Sequence, residues 1–343
     1  MIRRPPRSTP SNSSAASDVY KRQFELRAES GIFSKARRVE EKTLSFKKNG
    51  CIFIEGREGK ISIQSWNREE VRIVMTKIAW GRTRRRAEDN LEEIKVDIEK
   101  IGNRLYIRDV TEDIFYEDFN FFDIFRPDSW KYRRKKVDFE LIVPENVELD
   151  IRNNEGKVDI SEINGKISLE VDEGNVELFN ISSSDLYVIA DEGDVFIIDF
   201  NKDIDTLRGR INIHTDEGKI RLKNCKARNL NLDSDEGDLI IYNATVKKMS
   251  VFTDEGDIET DVNVVENGNY RIRTDEGDVV VVLSKDPDIR IDAETFEGKI
   301  RSDFRLHIRE ENDGEKARGI IGRGSAVLVV RTSEGHITLE EKF

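Results

Sequence analysis

Thr253-Asp254-Glu255-Gly256-Asp257-Ile258-Glu259-Thr260 holds one of six copies of the tripeptide Asp-Glu-Gly, the others ending at Gly174, Gly193, Gly218, Gly237 and Gly277. Looser copies end at Gly156 before the series and at Gly298 and Gly335 after it, and an early one stands at Glu58-Gly59. From Gly156 onward the steps between these glycines are 18, 19, 25, 19, 19, 21, 21 and 37 residues. A period of about 20 sustained over such a length is the signature of a solenoid, in which each repeat contributes one coil.

The residues around each glycine support this. Seven and five positions before it stand apolar pairs such as Ile211/Ile213, Leu230/Leu232 and Tyr270/Ile272; two and four positions after it stand Ile220/Leu222, Leu239/Ile241 and Val279/Val281. Both runs alternate with polar residues, as half-buried strands do. Inward offsets are odd before the glycine and even after it, so the tripeptide shifts the pleat by one. A corner or bulge does that and a straight strand does not. Glycine tolerates the positive φ of a tight corner, and Asp can accept from backbone N–H groups one or two residues on. Seven residues after the glycine an apolar residue returns (Ile163, Ile181, Cys225, Ala244), with Asn180, Asn224 and Asn243 just before the last three. This reads as a second corner, its asparagines bonding backbone from coil to coil. Thr215, Ser234, Thr253, Thr274, Thr295 and Thr332, three before the glycine, would stack as a hydroxyl row. The same tripeptide also suits an antiparallel hairpin, and that alternative stays open. The fold class expected is all-β: a two- or three-sided β-solenoid of about nine coils, about 40 Å long at the strand spacing.

Upstream the pattern is less regular. The first 23 residues are rich in Pro, Ser and Arg, show no apolar period and resemble translated sequencing-adapter read-through. They are set apart as a non-native, disordered leader. Residues 24–49 are charged, with Ala36, Val39, Leu44 and Phe46 as a thin apolar thread that suits a short helix or a lead into the first strand. Strands are expected at 51–54, 58–63, 71–75, 94–98, 105–107, 137–143 and 147–151, with Pro144 at a corner or edge. Ala87, Leu91 and Ile94 at helical spacing predict a short helix within 84–94. Residues 114–125, IFYEDFNFFDIF, concentrate aromatics and are followed by a basic run to Lys136. Phe115, Phe119, Phe122 and Phe125 would either cap the open end of the solenoid or form a partner patch. The division expected is leader 1–23, an N-terminal β region and cap over 24–145 with an insert at 111–136, and the solenoid over 146–343, continuous with it.

Chemistry is sparse. Lys and Arg number 57 against 69 Asp and Glu, a net charge of −12, which argues against binding a nucleic-acid backbone. No stretch after Phe24 approaches the roughly 20 apolar residues of a membrane-spanning helix. Cys51 and Cys225 lie far apart and form neither a zinc site nor a disulfide framework. Cys225 fills a slot used elsewhere by Ile and Ala. His214, His307 and His336 are scattered, and His336 reads as a solvated face residue. Carboxylates stacked at one corner could hold calcium, the only cofactor suggested; the plainer reading is a solvated row screened by Lys157, Lys219 and Lys299. A glycoside-cleaving pair needs two acids in distinct environments, whereas these acids are all alike.

Three segments share one known pattern: Gly59-Lys-Ile-Ser-Ile-Gln-Ser-Trp-Asn-Arg-Glu-Glu-Val71; Glu140-Leu-Ile-Val-Pro-Glu-Asn-Val-Glu-Leu-Asp-Ile151 leading into Asn154 to Ile160; and Gly324 to Leu339 with Arg331-Thr-Ser-Glu-Gly-His-Ile337. Together they resemble the DUF4097 family of adhesin-type proteins, from about Phe46 to the C-terminus. The resemblance implies a β-solenoid, no catalytic residues, and a non-enzymatic interaction or scaffold role with a protein or cell-surface partner. A regulatory partner in an envelope-stress system is the second reading and a carbohydrate-active β-helix enzyme the third. Localisation, cytoplasmic or at the cell envelope, is left open.

Overall fold

Alternating aliphatic residues on both sides of each glycine build two parallel sheets that face each other, with the glycine as the fold line. The computed structural model describes residues 19–25, as backbone, 34–112 and 135–342. Strands preceding the glycines form one sheet and strands following them the other. Val195, Ile197, Phe200, Ile211 and Ile213 are typical of the side chains that fill the space between, each at most 2% exposed. Burying a side chain of this size stabilises by about 1.5–3 kcal/mol, so each coil brings its own share of core.

Register settles the open alternative in favour of parallel coils. Leu186–Ile211–Leu230–Met249–Tyr270 run side by side in the first sheet, and Val195–Ile220–Leu239–Ile258–Val279 in the second, all parallel. Two 17-residue strands, Ile220–Glu236 and Leu239–Glu255, run through the asparagine corner and join both sheets.

The early copy at Gly59 belongs to the stack. Gly50–Glu58 pairs with Val147–Glu155, and Ile61–Trp66 with Val158–Ser161, so the first coil lies directly beneath the Gly156 coil although nearly a hundred residues separate them. Residues 50–66 of the N-terminal region thus form a coil of the same stack. At the other end the order departs from the sequence. The Gly335 coil lies between the Gly277 and Gly298 coils, pairing with Asn269–Glu276 on one side and Ile289–Glu297 on the other. Ten glycine corners thus stand in line, in the order 59, 156, 174, 193, 218, 237, 256, 277, 335, 298. His307–Glu311 and Gly314–Ile321 make an antiparallel hairpin on the outer edge, with Leu306 and Phe304 packed against the core.

The opposite end is antiparallel as well. Lys135–Pro144, Glu70–Gly81 and Ser34–Ser45 extend the second sheet. Residues 34–45, open between helix and lead-in strand on sequence grounds, are thus a strand. Its inward positions are Ala36, Arg38, Glu40 and Leu44, whereas Val39, one of the expected apolar residues, is only half-buried. Charged residues occupy the interior there because they are paired: Lys77 Nζ lies 3.2 Å from Glu40 Oε2, and Arg38 grips Glu92. Glu92 closes the helix Arg84–Glu92, which is capped by the Thr83 hydroxyl accepting from the Arg86 N–H and buries Ala87 and Leu91. Val19–Glu25 pairs antiparallel with Arg37–Thr43, so five residues of the segment set apart as a leader join the sheet. An edge strand of twelve residues presents a row of backbone donors and acceptors, and a sequence such as Val-Tyr-Lys-Arg-Gln-Phe-Glu can pair with it. The aromatic segment with Phe115, Phe119, Phe122 and Phe125 lies outside the described residues.

Candidate functional site

Three rows of residues run along the glycine corner. The glycines have φ between +123° and +148°, and a Cβ on any of them from Gly156 to Gly335 would overlap the carbonyl of the neighbouring corner glycine. Both constraints exclude other residues. From Gly59 to Gly335 in the spatial order, each glycine N–H donates to the glutamate carbonyl one coil along, as Gly218 to Glu236 at 3.0 Å, Gly256 to Glu276 at 2.8 Å, Gly277 to Glu334 at 2.9 Å and Gly335 to Glu297 at 2.9 Å, while Gly298, in the last coil, donates to Asp313.

The residue before the glycine is glutamate in all ten coils: 58, 155, 173, 192, 217, 236, 255, 276, 334 and 297 in spatial order, neighbours in register. At the strand spacing this row spans about 43 Å. From Glu173 on, all are exposed, as are the tripeptide aspartates from Asp172 to Asp254. These aspartates were expected to bond nearby backbone. That role falls instead to the residue after the glycine. Asp194 Oδ1 accepts from Lys219 N at 2.9 Å, Asp238 from Asp257 N at 3.2 Å, Asp257 from Asp278 N at 2.8 Å and Asp278 from His336 N at 2.7 Å. His336 keeps the series going, its Nδ1 accepting from Lys299 N at 3.0 Å, so it is exposed yet part of the ladder. The signal was present as Asp after the glycine at four corners.

The hydroxyl row is buried and bonds across coils. Thr253, Thr274 and Thr332 Oγ1 donate to the carbonyls of Gly237, Gly256 and Gly277, Thr295 to Gly335, and Thr215 and Ser234 bond each other at 3.0 Å. At the second corner Asn180, Asn224 and Asn243 have φ of 53–56°. The amides of Asn224 and Asn243 bond each other and not the backbone as expected. Asn263 Nδ2 donates to Asn243 Oδ1, Asn243 to Asn224, and Asn224 to the Asp199 carboxylate, at 2.9, 2.9 and 2.8 Å.

Chemically reactive groups are few. Cys225 is fully buried, and burial pushes its thiol up to about 12; Cys51 is half-buried and raised by burial and by Glu148 and Asp150. His214 sits between Asp216 and Asp233, its ring nitrogens 3.2 and 3.4 Å away. His307 Nε2 accepts from Arg309 Nε. Among the described residues no three His, Cys, Asp or Glu side chains converge as a metal site. An open hollow of about 440 Å³ lies at the first corners, lined by Lys60, Lys136, Lys157, Glu155 and Glu173. Its lysines are engaged by Asp159, Asp138 and Glu177 at 2.5–2.9 Å. Glu155 and Glu173 are adjacent members of the glutamate row, the first half-buried and the second exposed.

One outer face breaks the polar rule. On the sheet that follows the glycines, Phe179, Ile198, Lys223 and Tyr242 are neighbours on adjacent strands, with Phe179, Ile198 and Tyr242 exposed by 39–50%. Beside them Phe196 carries the Arg221 guanidinium over its ring at 5.5 Å. Apolar residues five positions after the glycine, where alternation calls for polar ones, were the overlooked sign of this patch. Trp66 is half-buried and donates its Nε1–H to the Glu70 carbonyl.

A family profile described as Toastrack DUF4097 matches residues 52–340. Among solved structures, the chain is similar to a "putative adhesin" from Bacteroides fragilis at 11% identity, covering 88% of this chain and 96% of that one with a TM-score of 0.40. A "putative adhesin" from Parabacteroides distasonis shares 11% identity over 89% and 97% of the two chains at 0.33. A "putative lipid binding protein" from the same species shares 10% over 88% and 96% at 0.32. No curated protein matches significantly. No helix among the described residues is long and apolar enough to cross a membrane.

Proposed function

The chain belongs to the Toastrack DUF4097 family, and from that premise we propose that it is a non-enzymatic interaction module, a rigid rod that docks a protein or cell-surface partner. The observation that carries this reading is the face of Phe179, Ile198 and Tyr242, with Arg221 and Lys223 among them. Exposed aromatic and aliphatic side chains interleaved with cations on a flat sheet suit docking, because the apolar atoms gain by leaving water while the charges set orientation. The hydroxyls, the asparagines of the second corner and the aspartates after the glycines are engaged between coils, and the interior is filled with apolar side chains, so the outer surface is what supports a docking role.

Labelled full chain is to be titrated onto bacterial cells and envelope vesicles, comparing the native sequence with the Phe179→Ser/Tyr242→Ser double variant. The expected result is binding that weakens at least tenfold in the variant. Equal binding would remove this face from consideration, and release of fragments from a polysaccharide panel would overturn the non-enzymatic reading.

A further inference from the structure

The Gly335 coil is wedged between two coils that precede it in sequence. The Gly298 coil carries what the corner asks for, namely Thr295, Glu297 and Gly298, and it follows Gly277 at 21 residues, an ordinary step. It could stack directly on the Gly277 coil, yet in the structure it is held one strand away. The gap is filled by Ala326–Glu334 in one sheet and Ile337–Glu341 in the other, each paired on both sides.

The fit is specific. Thr332 Oγ1 donates to the Gly277 carbonyl at 3.0 Å, Thr295 Oγ1 to the Gly335 carbonyl at 2.8 Å, and the Arg331 guanidinium reaches Asp292 Oδ1 at 3.0 Å. Leu328, Val330, Ile337 and Leu339 are buried to 1% or less, so an empty gap would leave apolar strands uncovered on both sides. The coil is reached through the turn Gly322–Ser325, where Gly322 and Gly324 have φ of +61° and +70°. Asp288 holds that turn: its Oδ1 accepts from Arg323 N at 2.6 Å and from Ser325 N at 3.2 Å, and its carbonyl accepts from Ala326 N at 3.0 Å.

We propose that the Gly335 coil is exchangeable between molecules, entering the same gap in a second copy of this chain to give a reciprocally swapped dimer. The occupant is a second copy because the gap is matched residue by residue to this chain's own Ala326–Glu341. The turn of residues 322–325 is the hinge, and short hinge loops are where such exchange arises.

Arg271 and Val329 are facing neighbours across the gap on the outer surface. In a Cys51→Ser background, protein carrying only Arg271→Cys is mixed with protein carrying only Val329→Cys, co-refolded from urea at high concentration and mildly oxidised. The Arg271→Cys/Val329→Cys double variant at low concentration, forming its disulfide within one chain, shows that the pair can close. Exchange predicts a covalent species of twice the chain mass in the mixture, increasing with protein concentration and several-fold more abundant with Asp288→Ala. Should that variant fail to refold, the mixture with native Asp288 decides alone. A disulfide in the double variant with only monomers in the mixture at every concentration would overturn the proposal.

Discussion

The Nδ2 of Asn243 donates to Oδ1 of Asn224 across 2.9 Å, and both residues hold φ near 55° at the corner opposite the glycines. Asparagine answers two demands there, because it tolerates left-handed backbone and its amide both donates and accepts. Asn224→Ala should therefore cost about 2–3 kcal/mol, from the strained φ and two lost side-chain bonds. Asn224→Gly, which keeps the conformation, should cost about 1 kcal/mol less. Urea denaturation of the two variants measures the difference, and equal losses would mean the backbone conformation is not a factor.

Gly218 and Gly102 make a controlled pair. Both have positive φ, but a Cβ at Gly218 would overlap the Gly193 carbonyl while at Gly102 it meets nothing within 4 Å. Gly102→Ala should lower stability by about 1 kcal/mol, whereas Gly218→Ala should cost about 3 kcal/mol or more, or fail to fold. Thermal melts of the purified proteins test this.

Acid should loosen the fold through three aspartates. Asp199 is held below the usual carboxylate range by Lys202 and then Asn224, and Asp238 by Lys219 and the Asp257 N–H working against burial. At Asp288 burial is the largest single influence and opposes ionisation, but bonds from Ser325, Arg323 and Gly324 outweigh it and the net shift is downward. A depressed folded-state pKa gives stability that is whole above the unfolded value of about 3.9 and is lost as pH falls through the lower folded value. Urea midpoints should thus hold from pH 7 to 5 and drop below pH 4. Asp199→Asn, which cannot ionise, should show a smaller drop.

The thiols should separate cleanly. With Cys225 shifted to about 12 and fully buried, the native protein at pH 8 should react slowly with one equivalent of a thiol reagent, through Cys51. Two equivalents should appear in denaturant. Fast modification of both in native buffer would show that the interior opens.

Calcium should leave the melting temperature unchanged relative to EDTA. Oδ1 of Asp194, Asp238, Asp257 and Asp278 is already taken by a backbone N–H, and the exposed glutamates are spread along a line without converging. A rise of several degrees with calcium would restore the metal reading.

The corners and inward positions could be read from sequence because they rest on local rules: Gly256 and Asn243 occupy conformations few other residues accept, and period-2 alternation separates inside from outside. The coil order could not. Residues 289–297 and 326–334 carry nearly the same corner pattern, and only the competition between them for the Asn269–Glu276 strand decides which lies inside. The inward positions of Arg38 and Glu40 could not be read either, since their partners Glu92 and Lys77 lie tens of residues away. The patch of Phe179 and Tyr242 emerges only when parallel register sets outward offsets side by side.

The wedged coil also bears on force. In this rod the hydrogen bonds between coils run along its axis, so tension between its two ends would peel terminal coils away one at a time. A tug on Lys342 meets something different. The strand it pulls is gripped from both flanks, so its ladders must give way together before any neighbour moves, and the rod would resist from that point more strongly than from its outermost coil.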